Sequence, residues 1–228
     1  MSQQALEVRG VSARISPPGR PQASFMSSQA GPFEMMGASI AYSRNEEIYG
    51  EGESAEYLYK VKCGCVRTYK VLNDGRRQIG SFYLPGDIFG LEAGQEHTSS
   101  AEASVASEVI IVKRSSLNSR ASGDSTLARR LLDLTVVELQ RAQNHVLLLI
   151  KSAQERVAAF LLDLAKREDS GNEIQVPMSR QEIADYLGLT IETVSRTLTQ
   201  LENASAIALP TSRRIVLRNR AALARLNG

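Results

Sequence analysis

The chain has 228 residues and a formal net charge of +2, so its overall charge indicates neither a nucleic acid nor a membrane as partner. No apolar run approaches the roughly 18 to 20 residues of a membrane span, and the N-terminus lacks the apolar segment of a signal peptide. From the length and a hydrophobic content of 43%, we expect a soluble, cytoplasmic protein with two modest domains.

The first predicted segment, residues 1–35, is rich in Ser, Gln, Pro and Gly and has no sustained hydrophobic periodicity. Such a segment buries too little apolar surface to offset the entropy lost on ordering, so we predict a flexible N-terminal extension. The alternative is a short helix around Met35 that packs on the domain that follows.

Residues 36–122 change to short runs of β-branched and aromatic residues, such as "EYLYKVK", "CVRTYKV", "RQIGSFYL" and "SEVIIVK". Turn sequences separate the runs, and Asn73-Asp74-Gly75 is a strong hairpin signal because Asn and Gly tolerate the positive φ of a tight turn. Several short strands at this spacing predict an antiparallel sandwich or small barrel.

Cys63 and Cys65 lie on either side of Gly64 in this domain and are the only cysteines of the chain. Two cysteines one residue apart are poorly placed for a mutual disulfide, and no second pair exists to complete a metal site. We predict a structural role for them, with a redox role as the alternative.

Residues 123–151 predict a long helix with a seam for a partner. Positions spaced alternately by four and three residues lie along this seam: Leu132, Val136, Leu139, Gln143, Val146 and Ile150. Because residues 146–150 are apolar on nearly every side, the sequence favours a homodimer through the seam, with the polar Gln143 helping to fix its register. The alternative is a helix that packs only on its own β domain.

Residues 152–228 contain three helix starts. Ser152-Ala-Gln-Glu155 and Ser179-Arg-Gln-Glu182 have the capping-box form S-x-x-E, in which side chains satisfy the free N–H groups at a helix start. Gly188 suits the left-handed turn that ends the second helix, and Thr190 caps a third. Two short helices joined by so tight a turn are typical of a helix-turn-helix.

The last of these helices carries the candidate DNA-reading residues. Its apolar side faces inward, so four residues lie towards the opposite side, where they can reach base edges in a major groove: Ile191, Glu192, Ser195 and Arg196. Near helix N-termini, where N–H groups and hydroxyls suit phosphate oxygens, lie four predicted phosphate contacts: Ser179, Arg180, Thr190 and Thr193. After them "AIALPTSRRIVLRN" predicts a wing of two short strands around Pro210-Thr-Ser, whose arginines also suit phosphate. The alternative is a helical hairpin whose polar side is only solvated.

The order of β domain, long helix and winged helix-turn-helix resembles the family of bacterial transcription regulators that includes the cyclic-AMP receptor protein and FNR. The resemblance covers roughly residues 40–226 and rests on "YGEGESAEYLYKVKCGCVRTYKVLNDGRRQIGSFYLPGDIFGLE" and "SRQEIADYLGLTIETVSRTLTQLE". It implies an α+β fold with an N-terminal antiparallel β-roll like the cyclic-nucleotide-binding domains (36–122), a dimerisation helix (123–151) and a C-terminal winged helix-turn-helix (152–228).

The residues of the last helix imply more about the target. Glu192, Ser195 and Arg196 match the E-x-x-S-R pattern of the FNR-like branch of this family. That match implies a homodimer bound to double-stranded DNA palindromes of the form TTGAT-N4-ATCAA, with RNA polymerase as a partner.

The sequence departs from the family's two sensor chemistries. His97-Thr98 stands where cyclic-nucleotide binders carry an Arg-Ser pair for the cyclic phosphate, so we expect no response to cyclic AMP. Short of a cluster shared between two chains, Cys63 and Cys65 cannot supply the four thiolates of an iron–sulfur cluster. The chain is therefore most similar to the FixK-like branch. This similarity implies an activator of low-oxygen or nitrogen-metabolism genes that needs no cofactor and is controlled by its amount or by modification.

An enzyme is not indicated. The chain has no G-x-S-x-G, no phosphate-binding Gly-Lys-Ser/Thr loop and no His-Glu metal helix, so we predict no catalytic residue and no metal. For His145, on the predicted dimer helix, we expect a satisfied or exposed side chain rather than a haem ligand.

Two other interpretations of the function stay open. One is a subunit whose β-roll controls a partner protein; the other is a family member that senses redox state through Cys63 and Cys65, or a small ligand in the β-roll pocket.

Overall fold

The computed structural model describes residues 32–168 and 171–226, so the predicted extension lies outside the described residues except for 32–35. Helices and strands follow one another in this order: α1 (Pro32–Met36), β1 (Ala38–Tyr42), β2 (Glu47–Tyr49), β3 (Tyr57–Cys63), β4 (Val66–Val71), β5 (Arg77–Tyr83), β6 (Ile88–Phe89), β7 (Ser100–Ala103), β8 (Ser107–Lys113), α2 (Arg114–Ala121), α3 (Ser125–Leu149), α4 (Ala153–Glu168), β9 (Glu173–Gln175), α5 (Arg180–Leu187), α6 (Ile191–Asn203), β10 (Ile207–Thr211), β11 (Arg214–Leu217) and α7 (Arg220–Leu226). This order confirms the predicted α+β fold.

Strands β1 to β8 form two antiparallel four-stranded sheets, which together make the β-roll. One sheet has the strand order β1-β8-β3-β6 and the other β2-β7-β4-β5. Alternate side chains point into the core between them, as Val61 and Val109 do, because successive residues of a strand face opposite sides. The four strands expected from β-branched runs are confirmed as β3, β4, β5 and β8, and the predicted hairpin turn joins β4 to β5, with Gly75 at a φ of +82°.

A short helix, α1, precedes the first strand. Its Phe33 is buried against Leu58 and Ile110 of the first sheet. Burial of this one aromatic ring gives a five-residue helix a tertiary support that its own hydrogen bonds do not supply. The short helix expected as an alternative around Met35 is therefore present, and the extension predicted for the residues before it stays a prediction.

The long helix α3 begins where the Asp124 carboxylate accepts the amides of Thr126 and Leu127. It packs on its own β-roll through the buried Leu127 near its start, whereas the buried Leu148 near its end belongs to the hydrophobic cluster that contains α4 and α5. It ends at Leu149, close to the predicted end, and α4 follows at the predicted capping box, in which the Glu155 carboxylate accepts the amide of Ser152 at 2.7 Å.

Helices α4 to α7 surround a small antiparallel sheet with the strand order β10-β11-β9. The predicted wing is the hairpin of β10 and β11, but its turn lies at residues 212–213 and not around Pro210. Pro210 belongs to β10 because a bulge between Ala208 and Thr211 accommodates a residue without an N–H group.

None of the helices in the described part of the chain is both long enough and apolar enough to cross a lipid bilayer.

Candidate nucleic-acid interface

The first helix of the helix-turn-helix, α5, begins at a capping box. The Ser179 hydroxyl accepts the amide of Glu182 at 3.2 Å, and the Glu182 carboxylate accepts the amide of Ser179 at 2.6 Å. After the last residue of the helix, Gly188 has a φ of +61°, which glycine adopts without the steric penalty of a side chain. The predicted box and the predicted glycine turn are both confirmed.

The second helix, α6, begins directly after this turn, where the Thr190 hydroxyl accepts the amide of Thr193 at 3.2 Å. Its inner side is buried through Val194, Leu198 and Leu201, as the hydrophobic period predicts. Thr197 is buried with them, although its hydroxyl does not indicate a core position.

The outer side of α6 presents all four predicted base-contacting residues to solvent. Ile191, Glu192, Ser195 and Arg196 are exposed and lie within the first two turns of the helix. Within residues 32–168 and 171–226, neither Glu192 nor Arg196 makes an ion pair. Their charged groups are therefore not committed to structure and remain available to a ligand.

The predicted phosphate contacts lie at the two helix starts and differ in how free they are. Ser179, Thr190 and Thr193 take part in caps, and the hydroxyls of Thr190 and Thr193 lie 3.0 Å apart. Arg180 is half-buried, and its Nη1 has no hydrogen-bond partner among the described residues. Burial lowers the pKa of Arg180 from its ordinary value. Because Nη1 is enclosed, this atom reaches a phosphate oxygen only if the side chain moves outward, and Arg180 stays a predicted phosphate contact.

The wing carries two arginines with different surroundings. Arg214 forms an ion pair with Glu173 of the neighbouring strand at 2.5 Å. Arg213, in the turn, is exposed and makes no ion pair within the part of the chain that the structure describes. Of the two, Arg213 is the one free to meet a phosphate.

On α3 the residues of the predicted dimer seam form an exposed apolar stripe. Val136, Leu139, Val146 and Ile150 are 45, 57, 65 and 79% exposed. Leu132 and Gln143 of the same seam are exposed as well. The helix thus packs on its own β-roll with one side and leaves a second apolar side uncovered, where large exposed apolar surfaces mark interaction sites.

Aromatic rings pack against one another in the core of the β-roll. His97 is buried and stacks on Tyr49 with 3.5 Å between ring centroids, and the Tyr49 and Tyr59 rings lie 5.1 Å apart. Arg114 donates three hydrogen bonds to the carbonyl oxygens of Ala55, Glu92 and Gly94, so its guanidinium is engaged by the β-roll itself.

The two cysteines have unlike environments. Cys63 is exposed and Cys65 is buried, and both are free thiols. Burial is the largest of the causes that raise the pKa of Cys65 to about 12. Since the thiolate is the reactive form, Cys65 is unreactive at neutral pH, and of the two predicted redox residues Cys63 alone is accessible to an oxidant.

His145 has the hydrogen-bond partner that the prediction of a satisfied side chain requires, since its Nε2 lies 2.8 Å from the carbonyl oxygen of Tyr186.

Comparison with protein families finds two models that match this chain. Residues 39–123 match the cyclic nucleotide-binding domain, and residues 155–226 match the Crp-like helix-turn-helix domain.

Similar proteins cover most of the chain. The nitrogen fixation regulation protein FixK of Azorhizobium caulinodans is 53% identical over 198 residues, which are 84% of this chain and 80% of that protein. The protein of the same name from Rhizobium meliloti is 45% identical over 188 residues, 81% of this chain and 86% of the relative. Among solved structures, FixK2 from Bradyrhizobium japonicum matches with a TM-score of 0.82 and 50% identity, over 85% of this chain and 98% of that one.

Proposed function

Since this chain belongs to the CRP/FNR family of DNA-binding transcription regulators, and within it to the FixK-like branch, we propose that it activates genes of low-oxygen respiration or nitrogen metabolism. It does so as a homodimer bound to palindromes of the form TTGAT-N4-ATCAA. The observation that carries this proposal is the uncommitted outer side of α6, with Glu192, Ser195 and Arg196 exposed together on a helix that is capped and packed from behind.

The chemistry of that outer side fits base recognition. Arg196 suits the O6 and N7 acceptors of guanine, Glu192 suits the amino group of cytosine, and Ile191 suits a thymine methyl group. The candidate phosphate contacts at the starts of α5 and α6 then fix the position of the helix on the duplex without reading sequence.

The exposed stripe of α3 supports the homodimer. A palindrome is read by two copies related by a two-fold axis, and a seam with apolar positions at alternating spacings of four and three residues is what two such helices need. We propose that a second copy of the chain covers Leu132, Val136, Leu139, Val146 and Ile150 around Gln143.

The chain is not an enzyme, because the proteins that it resembles are transcription regulators. We propose that it acts in the cytoplasm with RNA polymerase as its partner and without a cofactor. The buried His97 at the predicted place of the Arg-Ser pair, and the bonds of Arg114 to carbonyl oxygens, support a regulator whose activity follows its amount or modification and not cyclic-nucleotide binding.

A gel-shift titration with a TTGAT-N4-ATCAA duplex and a scrambled duplex tests the proposal. Wild-type protein is expected to bind the palindrome selectively, and Glu192→Ala and Arg196→Ala are each expected to weaken binding by about 1–3 kcal/mol, roughly 5- to 150-fold. Asn203→Ala is the matched control, because Asn203 is exposed at the far end of the same helix. Tight, selective binding by a variant that carries both Glu192→Ala and Arg196→Ala would refute the proposal that α6 reads the bases.

A further inference from the structure

The β-roll holds the DNA-binding module through a buried arginine. Arg67 of β4 is only 2% exposed, and its guanidinium bonds to Glu102 of β7 and to Glu182 of α5. The first carboxylate belongs to the same sheet as Arg67, whereas the second belongs to the helix-turn-helix. Arg67 therefore joins two parts of the molecule that are 115 residues apart in sequence.

Further polar contacts follow the same line between β5 and α5. Arg77 Nε donates to Asp185 at 3.2 Å, and the Gln78 side-chain amide donates to the carbonyl oxygen of Tyr186 at 3.3 Å. His145 of α3 stacks on the Tyr186 ring with 4.2 Å between centroids. Helix α5 thus contacts the β-roll along its length and α3 at its end.

Apolar packing also joins the two modules. Phe82 of β5 lies 6.4 Å from Phe160 of α4 and 5.3 Å from Tyr186 of α5 between ring centroids, and one hydrophobic cluster contains side chains of both modules. An open cleft of about 430 Å³ adjoins these rings between α3 and α4. Apolar contacts are not directional, whereas the buried bonds of Arg67 are, so Arg67 is suited to fix one orientation of α5 on the β-roll.

Glu182 connects this attachment to the recognition helix. One of its carboxylate oxygens accepts the amide of Ser179 and so caps α5, while the other accepts from Arg67. Helix α5 passes into α6 through the short turn at Gly188, which is itself held by bonds from Arg156 to the carbonyl oxygens of Leu187 and Gly188. A displacement of the start of α5 is therefore transmitted to α6.

We propose that Arg67 is a positioning residue for DNA recognition. By holding Glu182, and through it α5 and α6, Arg67 fixes the distance and angle between the two recognition helices of the dimer. It thereby sets the length of the spacer between the half-sites that the dimer accepts. This inference rests on the proposed palindrome binding, since spacer length has meaning only for a two-fold dimer on two half-sites.

The test compares spacer selectivity and not only affinity. Wild type, Arg67→Met and Glu182→Gln are titrated with palindromes whose spacers have three, four, five or six base pairs, and with a duplex that carries one half-site. Glutamine also serves in a capping box, so Glu182→Gln keeps the start of α5 while removing the charge that Arg67 binds. Lys70→Met is the matched control, because Lys70 lies on the same strand but forms a half-exposed ion pair with Glu51 of the β-roll.

Wild type and Lys70→Met are expected to share one preferred spacer. Arg67→Met should lower the ratio of affinities for that spacer and its neighbours by about tenfold, because a module that has lost its buried anchor to the β-roll samples more separations. Single half-site binding should change much less, and sedimentation should still give a dimer. A variant that was merely less stable would instead lose affinity for all duplexes in the same proportion.

A combined variant keeps the test decisive if Arg67→Met does not fold. Adding Glu182→Gln neutralises the carboxylate left buried without its partner, so Arg67→Met with Glu182→Gln should be the more stable protein. Because the two residues act through one bond, its spacer selectivity should match that of Arg67→Met alone. Unchanged spacer selectivity in these variants would overturn the inference. A wild-type protein that binds none of the palindromes would instead refute the proposed function.

Discussion

His97 is a buried histidine whose ring nitrogens have no hydrogen-bond partner within the described residues, although Glu92 Oε1 lies 3.5 Å from Nδ1. Burial lowers the pKa of His97, and the nearby carboxylate of Glu92 opposes this effect only in part. The folded chain therefore favours the neutral imidazole, stacked on the ring of Tyr49.

This environment predicts a pH-dependent stability. Below about pH 6.5 an unfolded chain takes up a proton on this histidine that the folded chain resists, so the free energy of unfolding falls as the pH falls. His97→Phe should reduce that fall between about pH 7 and 5 by up to about 1.4 kcal/mol per pH unit, as measured by urea unfolding at several pH values.

Tyr49→Phe is the control for this experiment, because it keeps the stacked ring and removes a hydroxyl whose pKa is raised far above this range by burial. It should change the stability by a similar amount at every pH. A slope in His97→Phe equal to that of wild type would show that His97 does not titrate differently on folding.

The sequence predicts the outer side of α6 well because the apolar residues of the helix mark its inner side, and the outer side lies opposite them. Positions 194, 198 and 201 are apolar, and together with 197 they follow the i, i+3, i+4, i+7 spacing of one helix side. Thr197 is buried for that reason although it is polar, and the spacing was the signal that could have found it. Residue chemistry alone assigns Thr197 to the surface, and here the geometry of the helix prevails.

At the scale of elements, the turn between α5 and α6 gives a second prediction. A methyl group on Gly188 would meet Leu149 Cδ2 at 3.4 Å and Arg156 Nη1 at 3.5 Å, which are ordinary contacts. The cost of Gly188→Ala is then the left-handed backbone itself, about 1–2 kcal/mol of stability in urea unfolding. Gly188→Asn should lose less, since Asn tolerates this conformation, and equal losses would contradict the backbone explanation.

The exposed stripe of α3 gives a third prediction. Leu139→Glu should give monomers in sedimentation velocity and weak binding to the palindrome, because a two-fold seam would place two desolvated carboxylates close together. Gln140→Glu adds the same charge at a flanking exposed position, where two-helix seams normally carry charges, and should remain dimeric. A dimeric Leu139→Glu would place the seam elsewhere.

Elements differ in how far their sequence reveals them. The long strands and the helices with capping boxes carry a local signal in alternation, caps or turn glycines. The sequence does not predict strands β1, β2, β6, β7 and β9, because they are two to five residues long and owe their extended form to the neighbours with which they pair. It predicts the wing turn too early, because proline usually marks turns, whereas Pro210 lies at a bulge.

At the scale of the whole molecule, ligand response gives a fourth prediction. A ligand with a Kd of about 10 μM would add about 2.7 kcal/mol of stability at 1 mM, an obvious rise in Tm. We expect cyclic AMP at that concentration to leave the Tm unchanged, because the buried His97 stacks on Tyr49 where an Arg-Ser pair would meet the cyclic phosphate, and Arg114 bonds to carbonyl oxygens. The palindromic duplex, run as the positive control, should raise it. A clear rise with cyclic AMP would contradict this prediction.

The joint between the β-roll and the helix-turn-helix could not be predicted from the sequence. Arg67, Glu102 and Glu182 are far apart in the chain, and each looks like an ordinary surface charge on its own strand or helix. Their burial follows only from the way the two modules pack. Periodicity and caps report on neighbours in sequence, so they predict the modules and not the contact between them.

The irregular wing strand β10 also affects how the edge of its sheet can contact other molecules. Strand β10 is at the edge of its sheet, and open edges of this kind pair with one another and start aggregates. Here Pro210 offers no N–H group, and the amide of Leu209 is already bonded to the Glu202 carboxylate at 2.9 Å. The β10 edge consequently offers a neighbouring strand fewer free N–H groups than a regular edge strand would.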